Sequence, residues 1–301
     1  MSGSERLMLI APPVMEHTPA FNRAACLAKA SGAALHIVAF DYEEGLVTAE
    51  LINEDALSEL KTAYVERHRQ WLEQQAVGLR RLGITVTTEV VWVDHPVHEI
   101  LDHVHDLDPR MVIKDLKHES FLARVLFTSM DLRLLRECPA PLHLITRMQQ
   151  ARPRKIVAAV DPFRTDERFK DLNRQVIEAA EKLAAQCEAE LHLLHAYDLS
   201  YIYSTEGGMG YAAKLGEELY QAEEQAFSEL ADSFGVPGQR RHFISGTPAK
   251  VINDFAAREQ VDVIVMGRVN RHGLNKLLGS TTEQVVYHMP GSVLVIKSEQ
   301  S

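Results

Sequence analysis

Glycine and hydroxyl residues near the end of the chain have a spacing that suits the binding of phosphate groups. Gly267 follows a short apolar run, and Gly279 and Ser280 come after an intervening loop. Ser280 also opens a Ser-Thr-Thr-Glu sequence, which is typical of a capping box at the start of a helix. Parallel α/β sheets bind phosphate in this way, because backbone N–H groups at a helix start face the ligand at the carboxyl edge of the strands. The segment therefore predicts an anion site.

The loop between these glycines is basic, although the whole chain has a formal net charge of −10. Its cationic residues and histidine are Arg268, Arg271, His272 and Lys276. Local positive charge in an acidic protein favours an anionic ligand. A solvated loop that binds nothing is the alternative.

The same segment resembles the signature of the universal stress protein family: a glycine, two residues, a glycine, nine residues, a glycine, then Ser or Thr. Gly267, Gly279 and Ser280 fit it, whereas Asn270 replaces the second glycine and eight residues separate it from Gly279. Asn tolerates left-handed backbone, so the turn can persist. In the family the pattern resembles a clamp for nucleotide phosphates. The resemblance thus implies ATP, accompanied by Mg²⁺, in the second half of this chain.

The resemblance also implies roles for residues at other strand ends. Asp161 stands where the family's aspartate contacts the adenine or ribose, and Ala196 where a main-chain group contacts the base. For Asp161, a turn or helix-capping role stays open. The residues implied to bind the nucleotide are Asp161, Ala196, Met266, Gly267, Asn270, Gly279, Ser280 and Thr281.

The elements that must position these residues occur twice along the chain. Apolar runs alternate with helical patterns, and the series restarts after a polar linker at residues 147–153. Pro96 and Pro248, each opening a short helix, are 152 positions apart. The predicted strands are 6–11, 34–41, 85–93, 110–115 and 141–146, then 155–161, 190–198, 240–245, 261–267 and 292–297.

This alternation predicts an α/β protein with two tandem doubly wound parallel-sheet domains, at residues 1–148 and 153–301. We expect a sheet of the flavodoxin-like or adenine nucleotide alpha hydrolase-like type, for which the resemblance implies strand order 3-2-1-4-5. Ligands of such sheets bind at the carboxyl ends of the first and fourth strands, where the strand order reverses.

The first half lacks the residues that the signature requires. Lys114 and Lys117 take the place of the first two glycines, Phe127-Thr128 replaces Gly-Ser, and Pro12 stands where the family has an aspartate. A phenylalanine at the helix start would fill the space for phosphate. We therefore expect no nucleotide of the usual kind in the first half, and we interpret the two lysines as solvated loop residues.

Bulk properties exclude several classes of partner. A net charge of −10 and a pI of about 5.8 argue against DNA and against an anionic membrane surface. No apolar run is long enough for a transmembrane helix, and we see no signal peptide. Three cysteines without a metal-binding spacing suit a reducing cytoplasm.

Histidines raise the question of a metal. His95, His98, His103 and His105 cluster after the third strand, so zinc is conceivable. No cysteine and no repeated ligand spacing accompany them, so we favour a surface cluster without metal. Histidines within strands, His36, His143, His192 and His195, are interpreted as core or sheet-edge residues.

The resemblance implies a cytoplasmic stress-response module that works by binding, with ATP in the second half. Two alternatives stay open: a protein-interaction scaffold or apolar-ligand carrier without nucleotide, and, ranked lower, a weak ATPase. No catalytic residue and no resident metal are assigned. Family members pair through their last strands, so the resemblance implies an internal pseudo-dimer of the two halves, with a homodimer as a further option.

Overall fold

The computed structural model describes residues 6–41, 54–93, 95–116, 130–146, 150–163, 167–203, 209–268 and 281–297. The chain divides into two compact units, Met1–Arg152 and Pro153–Ser301. We refer to them as the first and the second domain.

The first domain contains a parallel sheet with strand order β3-β2-β1-β4-β5. Its strands are β1 (Arg6–Ile10), β2 (Ala34–Asp41), β3 (Val86–Trp92), β4 (Met111–Asp115) and β5 (Leu142–Ile145). Its helices are α1 (Pro19–Ser31), α2 (Glu54–Arg81), α3 (Pro96–Leu107) and α4 (Met130–Glu137).

The second domain repeats this arrangement, with strand order β8-β7-β6-β9-β10. Its strands are β6 (Lys155–Ala159), β7 (Glu190–Tyr197), β8 (Arg241–Ser245), β9 (Val263–Arg268) and β10 (Ser292–Lys297). Its helices are α5 (Glu167–Cys187), α6 (Ser200–Tyr203), α7 (Met209–Ser233), α8 (Pro248–Arg258) and α9 (Thr281–His288), with a 3₁₀ turn at Gly238–Arg240. The predicted order 3-2-1-4-5 is confirmed in both domains.

Local signals in the sequence set the ends of several helices. α1, α3 and α8 each begin with proline, whose fixed φ and missing N–H suit a first helical position. α1 ends at Gly32 (φ 69°), and the chain turns after α2 at Gly83 (φ 84°), both in the left-handed region that glycine adopts at low cost.

The strands are buried because helices cover both faces of a parallel sheet. Leu9, Ile37 and Ile113 have no solvent exposure in the first domain, and Val157 and Ile264 have none in the second. The helices within the described ranges are all too short or too polar to cross a membrane.

Candidate functional site

The candidate site lies at the carboxyl edge of β6 and β9, where the strand order of the second domain reverses. β6 pairs with β7 on one side and with β9 on the other, and Ala159 lies opposite Met266 in the β6–β9 pair. Met266 is buried, whereas Asp161, Ala196 and Gly267 are half-buried. The structure thus brings these four predicted residues to adjacent strand ends. The sequence predicted Asp161 as the last residue of the strand, and this is wrong: β6 ends at Ala159, and Asp161 lies two residues beyond it.

The main chain at Asp161 is held by a side chain that the sequence did not single out. The Asp161 N–H donates to Asn173 Oδ1 (3.0 Å), and Asn173 Nδ2 donates to the Asp161 carbonyl (2.8 Å). Asn173 belongs to α5 and is only 8% exposed. Its one sequence signal is a polar residue within an otherwise apolar face of that helix. The two hydrogen bonds fix the backbone from which the Asp161 carboxylate projects.

The residue before Asp161 is anchored by a buried polar pair. His195 Nδ1 lies 3.0 Å from the Val160 carbonyl oxygen, and its Nε2 lies 3.0 Å from Glu223 Oε2. A carbonyl oxygen only accepts, so Nδ1 carries a proton and donates it to the Val160 carbonyl. His195 is 2% exposed, which confirms its interpretation as a core residue.

Gly267 has a packing role that the phosphate-binding pattern did not predict. A Cβ at this position would lie 2.6 Å from Leu172 Cγ and Cδ2, so only glycine lets α5 pack so closely on β9. The Gly267 carbonyl accepts a hydrogen bond from Thr282 Oγ1 (3.1 Å), which ties the first turn of α9 to the end of β9. This glycine is therefore explained by packing, whether or not phosphate binds nearby.

The remaining predicted residues are only partly within the described structure. Thr281 is the first residue of α9, near the predicted start of that helix. Asn270, Gly279 and Ser280 lie outside the described residues, as do Arg271, His272 and Lys276. Arg268 was predicted in the basic loop, and this is wrong. It is the last residue of β9, lies opposite Lys297 of β10 in the sheet and is 8% exposed.

At the corresponding edge of the first domain, polar side chains bind to one another. Lys114 is 8% exposed, and its Nζ contacts Asp131 Oδ1 (2.7 Å) and the Asp115 carbonyl (2.9 Å). The prediction of a solvated Lys114 is therefore wrong. Lys117 and Phe127 lie outside the described residues.

The strand register shows which residues of the two domains occupy equivalent positions. Ile10 lies opposite Lys114, and Ala159 lies opposite Met266, so Asp115 and not Lys114 matches Gly267. The Asp115 carboxylate accepts hydrogen bonds from the Thr18 hydroxyl and the Ala20 N–H, at the start of α1. Burial raises the pKa of Asp115, and these hydrogen bonds oppose the rise. Where the second domain has a glycine, the first has a carboxylate engaged by its own helix.

The four histidines after β3 do not form one cluster. His98 contacts Asp102 on the surface of α3 (2.8 Å, with 73% and 62% of the side chains exposed), and His105 is exposed. His103 instead points to His36 and Glu89. The strand histidines His36, His143 and His192 are buried, as predicted.

Comparison with known proteins accounts for nearly the whole chain. The model of the universal stress protein family matches it twice, over residues 15–146 and 153–297. Universal stress protein E of Escherichia coli strain K12 is 27% identical over 307 residues, which cover 100% of this chain and 96% of that protein. The universal stress protein E homolog of Haemophilus influenzae is 26% identical, over 85% of this chain and 84% of its own length.

Solved structures share the fold. A protein of unknown function from Pseudomonas aeruginosa PAO1 has a TM-score of 0.73 at 24% identity, covering 99% of this chain and 93% of that one. A universal stress protein from Archaeoglobus fulgidus has a TM-score of 0.65 at 17% identity, covering 98% and 97%. Because two consecutive family matches account for most of its length, this chain belongs to the universal stress protein family, as a tandem member with two copies of the domain.

Proposed function

We propose that this protein acts by binding a small ligand, and that the second domain binds an adenine nucleotide, ATP with Mg²⁺. One observation carries the proposal: Asn173 holds the main chain at Asp161 in place, beside the carboxyl end of β9 and the start of α9. A carboxylate at this point can accept hydrogen bonds from ribose hydroxyls, and Ala196 offers main-chain groups on the next strand.

The phosphates would lie toward the start of α9, where the backbone N–H groups of a helix start and the helix dipole favour negative charge. Thr281 begins this helix, and the sequence places Gly279 and Ser280 directly before it. The two hydroxyls and the backbone of the glycine would complete the contacts to phosphate. Mg²⁺ would be held chiefly by the phosphate oxygens, as in many nucleotide sites.

The first domain has a different character, which supports one nucleotide site and not two. Its Lys114 charge is paired internally with Asp131, and Asp115 is bound to the start of α1. These contacts favour the alternative proposal for this half alone: a surface for a protein partner or an apolar ligand, without nucleotide.

Calorimetric titration of Mg–ATP into the purified full chain tests the proposal. We expect a single site, lost in a Gly279→Asp/Ser280→Glu variant, because the added carboxylates repel phosphate at the helix start. The matched control is Phe127→Asp/Thr128→Glu, which makes the same change in the first domain and should leave ATP binding unchanged.

Other outcomes decide between the alternatives. No heat and no thermal shift at millimolar ATP would overturn nucleotide binding and favour a scaffold or apolar-ligand carrier. Steady release of phosphate that disappears in the Gly279→Asp/Ser280→Glu variant would establish a weak ATPase instead. Binding without release supports the proposal as stated.

We place this binding activity in a cytoplasmic stress response, which the family relationship and the few cysteines favour. Cell fractionation tests the compartment. Survival of a strain that carries the Gly279→Asp/Ser280→Glu variant, compared with the wild type under stress, tests whether the ligand matters for the response.

A further inference from the structure

Three side chains that can bind metal converge on one face of the first domain, away from the strand ends that carry Lys114 and Asp115. His36 is the third residue of β2, Glu89 lies on the neighbouring strand β3, and His103 lies on α3, which packs against β2. His36 pairs with Thr87 in the sheet, so Glu89 lies two residues further along the same face. The nucleotide edge of such a domain lies between β1 and β4, so this group is a separate feature.

The ligand atoms form a nearly equilateral triangle. His36 Nε2 lies 3.3 Å from His103 Nε2 and 3.4 Å from Glu89 Oε2, and the third side, from His103 Nε2 to Glu89 Oε2, is 3.5 Å. In tetrahedral zinc sites, ligand distances of about 2.0–2.1 Å place neighbouring ligand atoms about 3.3 Å apart. The triangle therefore has the size of one face of a zinc tetrahedron.

The environment prepares these atoms to bind a cation. His36 Nδ1 is 2.8 Å from Thr87 Oγ1, which orients the ring and leaves Nε2 for a ligand, the arrangement common around metal-binding histidines. Burial, followed by the neighbouring His103, lowers the pKa of His36. Arg6 also faces His36 and repels a cation, whereas Glu89 supplies a compensating negative charge.

The group is also reachable from solvent. Exposure of the side chains rises from 9% for His36 through 24% for His103 to 43% for Glu89. An ion could enter past Glu89 and reach the two imidazoles. Three protein ligands would leave a fourth position for water or another molecule, as in open zinc sites.

The second domain provides an internal comparison. His192 is the third residue of β7, as His36 is of β2, but Phe255 occupies the place on α8 that His103 occupies on α3. His192 directs Nδ1 to His242 (3.0 Å) and Nε2 to Glu190 (3.5 Å), so its neighbours lie on opposite sides of the ring. Within the described ranges, His36, Glu89 and His103 form the single group of this kind.

We propose that His36, Glu89 and His103 bind one divalent transition-metal ion, with Zn²⁺ as the ion that their geometry fits best. Two imidazoles and a carboxylate suit zinc better than the oxygen-binding ions Mg²⁺ and Ca²⁺. The bound ion would link α3 to the outer strands β2 and β3. It would therefore stabilise the first domain as well as offer an open coordination position.

The test is titration of Zn²⁺ into the full-length, metal-free protein without a histidine tag, followed by calorimetry. We expect one ion per chain and an affinity at least about tenfold lower for His103→Phe, which copies the second domain, and for Glu89→Gln. His98→Ala is the matched control, because His98 lies on the same helix but directs its exposed ring to Asp102 and not to the three proposed ligands. That variant should bind Zn²⁺ like the wild type.

Two further measurements keep the result interpretable. Co²⁺ in place of Zn²⁺ should give the visible absorption of a tetrahedral site in the wild type and lose it in His103→Phe. Circular dichroism in EDTA should show that the variants are folded. Equal Zn²⁺ binding by the wild type and His103→Phe, or no binding by the wild type, would overturn the proposal and leave a hydrogen-bonded trio only.

Discussion

At the scale of single residues, both domains bury polar groups against one another. The first domain buries Lys114 against Asp131, and the second buries His195 against Glu223 and places His242 against His192. A buried charge that loses its partner costs several kcal/mol, whereas a shift in a histidine pKa couples stability to pH. Each effect gives a prediction about one side chain.

Asp131→Ala should destabilise the first domain by about 3 kcal/mol, because it leaves the Lys114 ammonium buried without its carboxylate. The pair is 2.7 Å apart, with 10% and 7% of the side chains exposed. Chemical denaturation measures the change. Replacing both residues, in Lys114→Met/Asp131→Leu, should cost less than Asp131→Ala alone. A larger loss in the double variant would contradict this account.

Stability should fall as the pH drops from neutral to about 5, partly because of His242. Burial, and then the neighbouring His192, lower the pKa of His242 from 6.5 to about 4. Between these values the unfolded chain binds a proton that the native state does not, so acid favours unfolding. His242 contributes up to about 2 kcal/mol of this loss at pH 5.

His242→Gln should therefore lose less stability than the wild type between pH 7 and pH 5, as measured by urea denaturation at each pH. His192, whose pKa burial also lowers, stays in the variant and will keep part of the dependence. The same pH dependence in both proteins would exclude His242 as a cause.

At the scale of elements, alternating strand and helix patterns were enough to predict a parallel sheet in each half, because buried parallel strands and amphipathic helices have distinct periodicities. The strand order came from the fold type that the family resemblance implies. The side-chain partners were harder to predict. Lys114 and Arg268 looked like loop cations, but each lies in a strand and is buried. Hydrophobic periodicity does not show that a long cation can find an internal partner.

Long-range contacts explain the other differences. His103 was grouped with histidines near it in sequence, yet its partners lie on two strands. His36 is 67 positions before it in the chain, and Glu89 is 14 positions before it. Asn173 was not predicted to have a role, because that role depends on Asp161, which is distant in sequence and which the fold brings beside it. The residues Asn270, Gly279 and Ser280 remain predictions from the sequence.

Gly267→Ala should destabilise the second domain by about 1–3 kcal/mol, because its methyl group would overlap Leu172 and displace α5 from β9. Truncating the neighbour, in Gly267→Ala/Leu172→Ala, should make the two losses less than additive in denaturation experiments.

Gly291→Ala gives the contrasting case. There the added Cβ would meet the backbone carbonyl oxygens of Val261 (2.7 Å) and Asp262 (2.8 Å), which cannot be trimmed by substitution. Leu172→Ala should not rescue this variant. Strictly additive losses for Gly267→Ala and Leu172→Ala would show that the contact does not limit the packing.

At the scale of the whole molecule, two domains with the same fold have different residues at the end of the fourth strand. The second domain keeps a glycine at the end of its fourth strand, whereas the first has Asp115 in that place. The two copies of the domain have therefore not kept the same residue at this strand end. The sequence indicated this difference through its missing glycines, although the register was needed to match Asp115 with Gly267.

Native mass spectrometry with Mg–ATP should accordingly find one nucleotide per chain of 301 residues, although the chain has two domains. The bound nucleotide should disappear in Gly279→Asp/Ser280→Glu and persist in Phe127→Asp/Thr128→Glu. Two nucleotides per chain would show that the first domain accepts phosphate despite its substituted residues.

One turn of α5 contacts both sides of the candidate crevice. Leu172 lies against Gly267 on β9, and the next residue, Asn173, holds the main chain at Asp161 beyond β6. β6 and β9 are paired strands, so this turn does not set their spacing, but it holds the end of β9 and the main chain just beyond β6 at the same time. A shift of this single helical turn would therefore move the backbone at Gly267 and at Asp161 together.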